Sequence, residues 1–118
     1  MTSKYFLPRE LKCKCNKKSC NAKDIDNNFL NILDNIRQQF GDPMKINSCL
    51  RCKYHNNMIG GSPKSQHLLG KAADIQMNND DMYRFLNICL ANGIKGIGIA
   101  NGWLHIDIRD GEDKEWTY

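Results

Sequence analysis

Apolar positions predict two amphipathic helices. Hydrophobic side chains between residues 25 and 40 recur at spacings of three and four, which is the period of a helix with one buried face. The same spacing recurs between residues 82 and 89. The candidate N-caps are Asp24 or Asp26 for the first helix and Asn79 or Asp80 for the second, and Gly41 and Gly93 are the stop signals.

Shorter apolar runs predict strands at 44–48, 72–76, 94–100 and 103–109. The last two flank Asn101-Gly102, a dipeptide typical of a tight β-hairpin turn. Residues 1–23 and 49–64 carry neither pattern, so we expect an irregular amino-terminal segment and a long loop. The predicted fold class is α+β, with helices packed against a small antiparallel sheet.

Length and composition limit the possible architectures. The chain has 118 residues, of which 41% are hydrophobic and 25% charged, so we expect a single folded domain and a monomer. Its apolar runs are too short for a transmembrane helix, and no membrane insertion is predicted. The first residues lack the apolar core of a secretory signal, so synthesis in the cytoplasm is expected.

The charge is mildly positive. Lysine and arginine number 17 against 13 acidic residues, which suits an anionic partner such as a nucleic acid or a cell-wall polymer. The lysines cluster near the amino end without the interleaved aromatic residues that stack on bases. Nucleic-acid binding is therefore not predicted.

The last predicted strand places polar chemistry beside the core. Side chains alternate between the faces of a strand, so the polar set separates from an apolar set. The polar face carries Trp103, His105, Asp107 and Arg109, and the apolar face carries Leu104, Ile106 and Ile108. In the preceding strand Gly96 and Gly98 leave one face bare, which predicts room for a substrate beside His105.

Two histidines and an aspartate form a candidate zinc site. His67 precedes Asp74 by seven residues, and Gly70 between them allows the chain to turn. With His105 they would supply three ligands and leave one coordination position open, as catalytic zinc requires. The alternative is structural: His67 and Asp74 as local caps and His105 as a half-buried strand residue.

The six cysteines are unevenly spaced, and we favour reduced thiols or a thiolate metal site over a disulfide framework. Cys89 lies on an apolar helix face and is expected in the core. A four-cysteine structural zinc site is the alternative for the others, but their spacing is less regular than in most such sites, so we do not favour a second ion. Its candidate ligands are Cys13, Cys15, Cys20, Cys49 and Cys52.

The run Ser65-x-His67-x-x-Gly70-x-Ala72-Ala73-Asp74, followed by His105-x-Asp107, resembles the zinc D-Ala-D-Ala carboxypeptidase family. The similarity is closest to its small single-domain branch, which includes phage endolysin peptidases and YcbK-like murein endopeptidases. Three flanking segments extend it. Ile46–Arg51 resembles I-x-S-G-Y-R, Asn56–Ser65 resembles N-x-x-V-G-G-x-x-x-S, and Asp107-x-Arg109 with the late Trp116 resembles the end of that branch.

The resemblance implies a hedgehog/DD-peptidase-like fold and one catalytic Zn²⁺ held by His67, Asp74 and His105. It assigns Arg51 to the substrate carbonyl or carboxylate. Ser65 is either a substrate contact or a residue that fixes its own loop by local hydrogen bonds.

The chain departs from the family pattern at two places. Cys49-Leu50 replaces Gly-Tyr, and Gly102 stands where some branches carry a glutamate that acts as general base. We therefore predict that Asp107 is the general base. The alternative is a carboxylate that is hydrogen-bonded to a ligand histidine or paired with Arg51 or Arg109.

The function implied is hydrolysis of peptide bonds in peptidoglycan stem peptides or cross-links, by a carboxypeptidase or an endopeptidase. A phage lysis enzyme that is released to act on the bacterial cell wall fits this activity. The alternative is a non-catalytic, zinc-bearing module that binds cell wall or protein, because hedgehog signalling domains share this fold.

Overall fold

The computed structural model describes residues 3–118. Its helices are α1 (Pro8–Leu11), α2 (Asn27–Phe40), α3 (Lys53–Met58) and α4 (Asn79–Ala91), with a short 3₁₀ helix at Gln66–Leu69. Its strands are β1 (Lys45–Ser48), β2 (Ala72–Gln76), β3 (Gly96–Ala100), β4 (Trp103–Asp107) and β5 (Lys114–Thr117). The predicted α+β fold class is confirmed. No helix within this range is long and apolar enough to cross a membrane.

The strands form one sheet in the order β1-β2-β4-β3-β5. The predicted hairpin is present, since Ala100 pairs with Trp103 and Gly102 takes the positive φ of 82° that its turn requires. β2 runs antiparallel to β4, whereas β5 runs parallel to β3. The sheet is therefore mixed rather than purely antiparallel, because the chain adds an edge strand that its apolar pattern did not predict.

The two long helices begin and end close to the predicted residues. The Asp26 carboxylate accepts a hydrogen bond from the Phe29 N–H at 2.9 Å and caps α2, which ends at Gly41 with φ of 81°. α4 is capped by Asn78, whose side chain accepts from the Asp80 N–H. The cap predicted at Asn79 or Asp80 was thus wrong by one or two residues.

The core lies between the sheet and the two long helices. Phe29 and Leu33 of α2 and Phe85 of α4 are fully buried in the same cluster as the apolar side chains of β4. Because side chains alternate along a strand, this packing turns His105 and Asp107 to the opposite face of the sheet. The packing of the core therefore determines which face of the sheet carries the polar side chains.

Two segments predicted to be irregular contain short helices. α1 lies within residues 1–23, and α3 lies within the loop expected at 49–64. Asn56 is the one buried residue of α3, so the sequence has no apolar periodicity there that would predict a helix.

Candidate metal centre

The three predicted ligands lie together. The pairing of β2 with β4 places Asp74 opposite His105, and the 3₁₀ helix brings His67 to the same point. Asp74 Oδ1 lies 3.1 Å from His67 Nε2 and 2.9 Å from His105 Nδ1. All three donor atoms are within 4.8 Å of one another. We call this group the His-Asp-His site.

Each histidine is oriented through its second ring nitrogen. His67 Nδ1 lies 2.7 Å from the carbonyl oxygen of Cys49, and His105 Nε2 lies 2.7 Å from Asp107 Oδ2. A ring that donates its proton to such an acceptor keeps a lone pair on its other nitrogen. The unprotonated nitrogens then converge on Asp74, as metal coordination requires.

The donor set fits zinc. Ligand atoms bound at 2.0–2.2 Å in a tetrahedral arrangement lie about 3.3 Å apart, close to the separations observed here. Burial alone would raise the pKa of Asp74, but its close contacts with the His105 and His67 rings outweigh burial and hold this pKa well below its usual range. Asp74 is therefore a carboxylate, the form that coordinates a metal.

Asp107 lies behind His105 rather than in front of it. Its fully buried carboxylate contacts the His105 nitrogen that faces away from Asp74, and Arg109 donates to it through Nε at 2.9 Å and Nη2 at 2.6 Å. Gly96 makes the space, since a Cβ there would collide with this carboxylate. Burial would raise the pKa of Asp107, but His105 and Arg109 hold it well below its usual range. Asp107 thus matches the alternative of a carboxylate that supports a ligand histidine.

Arg51 reaches the site from the segment after β1. Its Nη2 lies 3.0 Å from Asp74 Oδ2, and its Nε donates to Ser48 Oγ at 3.0 Å. Its Nη1 donates to Asn56 Oδ1 at 3.3 Å, and the Asn56 amide donates to the carbonyl of Ser62. Asn56 is 1% exposed, and we did not predict its role. The only signal was its place in the Asn56-x-x-Ile59-Gly60-Gly61 run.

Ser65 is a local cap at the cavity edge. Its Oγ accepts a hydrogen bond from the His67 N–H at 3.2 Å and begins the 3₁₀ helix that carries this ligand. Ser65 also lines the cavity over the site. The hydrogen bond from His67 supports the role of Ser65 in fixing its own loop, and its contact with substrate stays a prediction.

The site opens into a cavity of about 600 Å³. Its lining combines aromatic and basic side chains, and its acidic residue within residues 3–118 is Asp74. The two kinds are in contact, since Arg109 and Lys114 lie 5.0 and 5.8 Å from the centroid of the Trp116 ring. The aromatic lining is Trp103, Trp116 and Tyr118, and the basic lining is Arg51, Lys64, Arg109 and Lys114.

The space predicted beside His105 is occupied by the protein itself. β5 places Trp116 opposite Gly98, and the Trp116 ring centroid lies 5.3 Å from that of His105. A Cβ on Gly98 would meet the Trp116 and Tyr118 rings. The expectation that bare backbone leaves room for a substrate was therefore wrong at Gly98. The sequence did not predict the position of Tyr118, because β5, which it follows, has no apolar alternation.

Four of the five candidate cysteines form a second cluster away from this site. Their sulfur atoms lie within 4.8 Å of one another, and we call them the thiol cluster. Cys49 is not among them, and its carbonyl contacts His67 instead. Cys89 lies in the core, as predicted. The cluster consists of Cys13, Cys15, Cys20 and Cys52.

Comparison with known proteins identifies the family. The sequence model described as Peptidase M15 matches residues 4–107, a range that contains all three ligands of the His-Asp-His site. No curated protein matches the chain significantly. Because the family match covers most of its length, the chain belongs to the Peptidase M15 family and is a zinc-dependent metallopeptidase.

Proposed function

We propose that the protein hydrolyses peptide bonds in the stem peptides or cross-links of peptidoglycan. The observation that carries this proposal is the charge of the cavity. Its lining combines a metal site that suits peptide hydrolysis with a set of cationic side chains. Stem peptides present carboxylates and amides, and cationic side chains attract the carboxylates.

The ligand residues would hold zinc, which supplies a Lewis acid for the scissile carbonyl and lowers the pKa of water. Arg51 fixes the orientation of Asp74 by binding its outer oxygen, Oδ2. A guanidinium has five N–H donors. Three of them donate within residues 3–118, which leaves two for a substrate carbonyl or carboxylate. Arg51 would therefore orient the metal ligand Asp74 and bind the substrate at the same time.

We infer that Asp107 orients His105 rather than acting as the general base. A general base must come within hydrogen-bond reach of the proton that it removes. The Asp107 carboxylate is buried against His105 and Arg109, and the cavity lining includes both of those residues but not Asp107. These contacts support a carboxylate that keeps His105 in the tautomer a metal needs.

The aromatic wall would hold the peptide beside the metal. The rings of Trp103 and Tyr118 lie 4.6 Å apart between centroids, and Trp116 covers one side of His105. Apolar ring faces next to a charged site exclude water from one side of it. We propose that a stem peptide packs its side chains against these rings while its carboxylate contacts the cationic side chains of the lining.

A binding module without catalysis is the second candidate function. The observation that favours it is the acidic lining of the cavity, which within residues 3–118 is limited to the ligand Asp74. Gly102 occupies the position three residues before His105 where a glutamate could act as general base. If no other group accepts the proton from water, peptides would be bound but cleaved very slowly.

Incubation with purified peptidoglycan separates these two functions. We expect new peptides, identified by mass, that disappear when a chelator is added and return with zinc. The variant His67→Ala/His105→Ala should lose the activity, and His55→Ala should keep it, because His55 lies outside the site. Sedimentation with peptidoglycan but no released peptide would support the binding module and contradict the hydrolase.

The biological setting stays a proposal as well. A phage lysis enzyme acting on the bacterial wall predicts that cells producing the protein lyse only when a second protein opens their membrane. Lysis with His67→Ala/His105→Ala under the same conditions would contradict an enzymatic cause.

A further inference from the structure

The thiol cluster has the dimensions of a mononuclear metal site. Cys13 Sγ and Cys52 Sγ lie 3.7 Å apart, and all four sulfur atoms are within 4.8 Å of one another. Four thiolates bound to zinc at 2.3 Å in a tetrahedron lie about 3.8 Å apart. An iron–sulfur cluster spreads its thiolates over several iron atoms, and a disulfide joins two sulfurs only. A single tetrahedral ion therefore fits best.

The surroundings of the sulfur atoms suit thiolates. The backbone N–H of Cys52 donates to Cys13 Sγ, and the N–H of His55 donates to Cys52 Sγ, both at 3.4 Å. Four thiolates around a divalent cation keep a net negative charge, which nearby cations can balance. The lysines adjacent in sequence are Lys12, Lys14, Lys17, Lys18 and Lys23.

The chain folds so that distant cysteines meet. Asn16 takes a positive φ of 57°, and the Cys20 N–H donates to the carbonyl of Lys17, so the segment turns back on itself. Cys13 and Cys52 are buried, whereas Cys20 is exposed. An ion can thus enter from the solvent side and reach the buried pair.

We propose that the thiol cluster is a structural zinc site, separate from the His-Asp-His site. Sulfur fills all four coordination positions, so none is open for a substrate. Binding would release the protons of the thiols to solvent as the ion takes their place. The site joins residues 13–20 to the start of α3 across a long stretch of sequence.

The thiol cluster would fix the segment that carries Arg51. Cys52 follows Arg51 directly, and α3 supplies the Asn56 side chain that accepts from it. The Lys17 ammonium lies 4.1 Å from the centre of the Tyr54 ring, and this is a second contact between residues 13–20 and α3. The ion would therefore stabilise the position of a substrate-facing arginine without touching the substrate.

Metal counting by elemental analysis tests the proposal on protein purified under reducing conditions with zinc. We expect two zinc ions per chain in the wild type and one in His67→Ala/His105→Ala. Cys15→Ser/Cys20→Ser should also hold one, and the variant with all four changes none. Cys89→Ala is the matched control, because its thiol lies outside the cluster, and it should keep two.

Cobalt provides a second readout that does not depend on activity. Thiolates give Co²⁺ an intense charge-transfer absorption in the near ultraviolet, which imidazole and carboxylate ligands do not. We expect this band in the wild type, in His67→Ala/His105→Ala and in Cys89→Ala, and its loss in Cys15→Ser/Cys20→Ser. A single zinc in the wild type that Cys15→Ser/Cys20→Ser retains would overturn the proposal. So would a disulfide between Cys13 and Cys52 in the reduced preparation, detected by intact mass.

Discussion

At the scale of single residues, burial decides what a carboxylate can do. Asp74 and Asp107 both contact His105, but on opposite ring nitrogens. Asp74 lines the cavity and faces the two unprotonated nitrogens, whereas Asp107 is fully buried beneath the guanidinium of Arg109. The first carboxylate is placed to bind a cation and the second to hold a ring proton.

Replacing Asp107 by Asn tests this assignment. An amide can donate to His105 Nε2 and so move the ring proton to Nδ1, the nitrogen that faces Asp74. We expect zinc affinity at the His-Asp-His site to fall by roughly 10- to 100-fold, as for other partners of ligand histidines, with turnover largely recovered at saturating zinc. Zinc titration and peptide release measured together provide the check. Unchanged zinc affinity with turnover lowered by about 10² or more at saturating zinc would restore the general-base role.

Replacing Arg51 by Lys tests the substrate role of its guanidinium. Lysine keeps the charge but cannot donate at once to Ser48, Asn56 and Asp74 as arginine does here. We expect turnover to fall by roughly 10²-fold, the scale of a lost donor at a reacting carbonyl, while zinc stays bound. Arg9→Lys, at an exposed position in α1, is the control and should behave as wild type. Normal peptide release by the Arg51 variant would remove the residue from recognition.

At the scale of elements, the strength of each sequence pattern decided what could be predicted. α2, α4 and the β3–β4 hairpin have clear apolar periods and strong stop or turn signals, and the structure confirms them. The sequence Lys-Glu-Trp-Thr of β5 has no alternation, and three of its four residues are exposed. Its pairing depends on contact with β3, which a local pattern does not encode. The thiol cluster could be named only as an alternative, with Cys49 among its candidates, because Cys13 and Cys52 are 39 residues apart and no local pattern joins them.

Because Gly98 has no side chain, the Trp116 ring of β5 can pack against the sheet at this position. A Cβ on Gly98 would lie 2.5 Å from Trp116 Nε1, so Gly98→Ala must displace that ring. We expect a loss of about 1–3 kcal/mol in the free energy of unfolding, the usual cost of overpacking, together with a change in tryptophan fluorescence. Denaturant unfolding measures the loss. Repeating Gly98→Ala in a Trp116→Ala background should remove most of it, and an equal loss in both backgrounds would exclude this contact as the cause.

At the scale of the whole molecule, residues 49–52 connect the His-Asp-His site with the thiol cluster. The carbonyl of Cys49 holds His67, Arg51 binds Asp74, and Cys52 belongs to the thiol cluster. The N–H of Leu50 also donates to the carbonyl of Leu11, which lies two residues before Cys13. The amino-terminal region thus contacts the segment that positions His67 and Arg51, although within residues 3–118 it contributes no ligand to the His-Asp-His site.

This arrangement predicts that the amino-terminal cysteines affect stability more than turnover. In Cys13→Ser/Cys15→Ser the thiol cluster loses two ligands, while the ligands of the His-Asp-His site are unchanged. Zinc at 1,000 times its dissociation constant stabilises a folded chain by about 4 kcal/mol, so the variant should lose an increment of this order. Thermal unfolding with and without zinc measures the increment, and Cys89→Ser should keep it even if its core is weakened. Turnover per folded molecule should change little at temperatures where the variant stays folded, because Arg51 keeps its own hydrogen bonds to Ser48, Asn56 and Asp74 without the ion. A variant with unaltered stability and lost turnover would instead place the thiol cluster in the reaction.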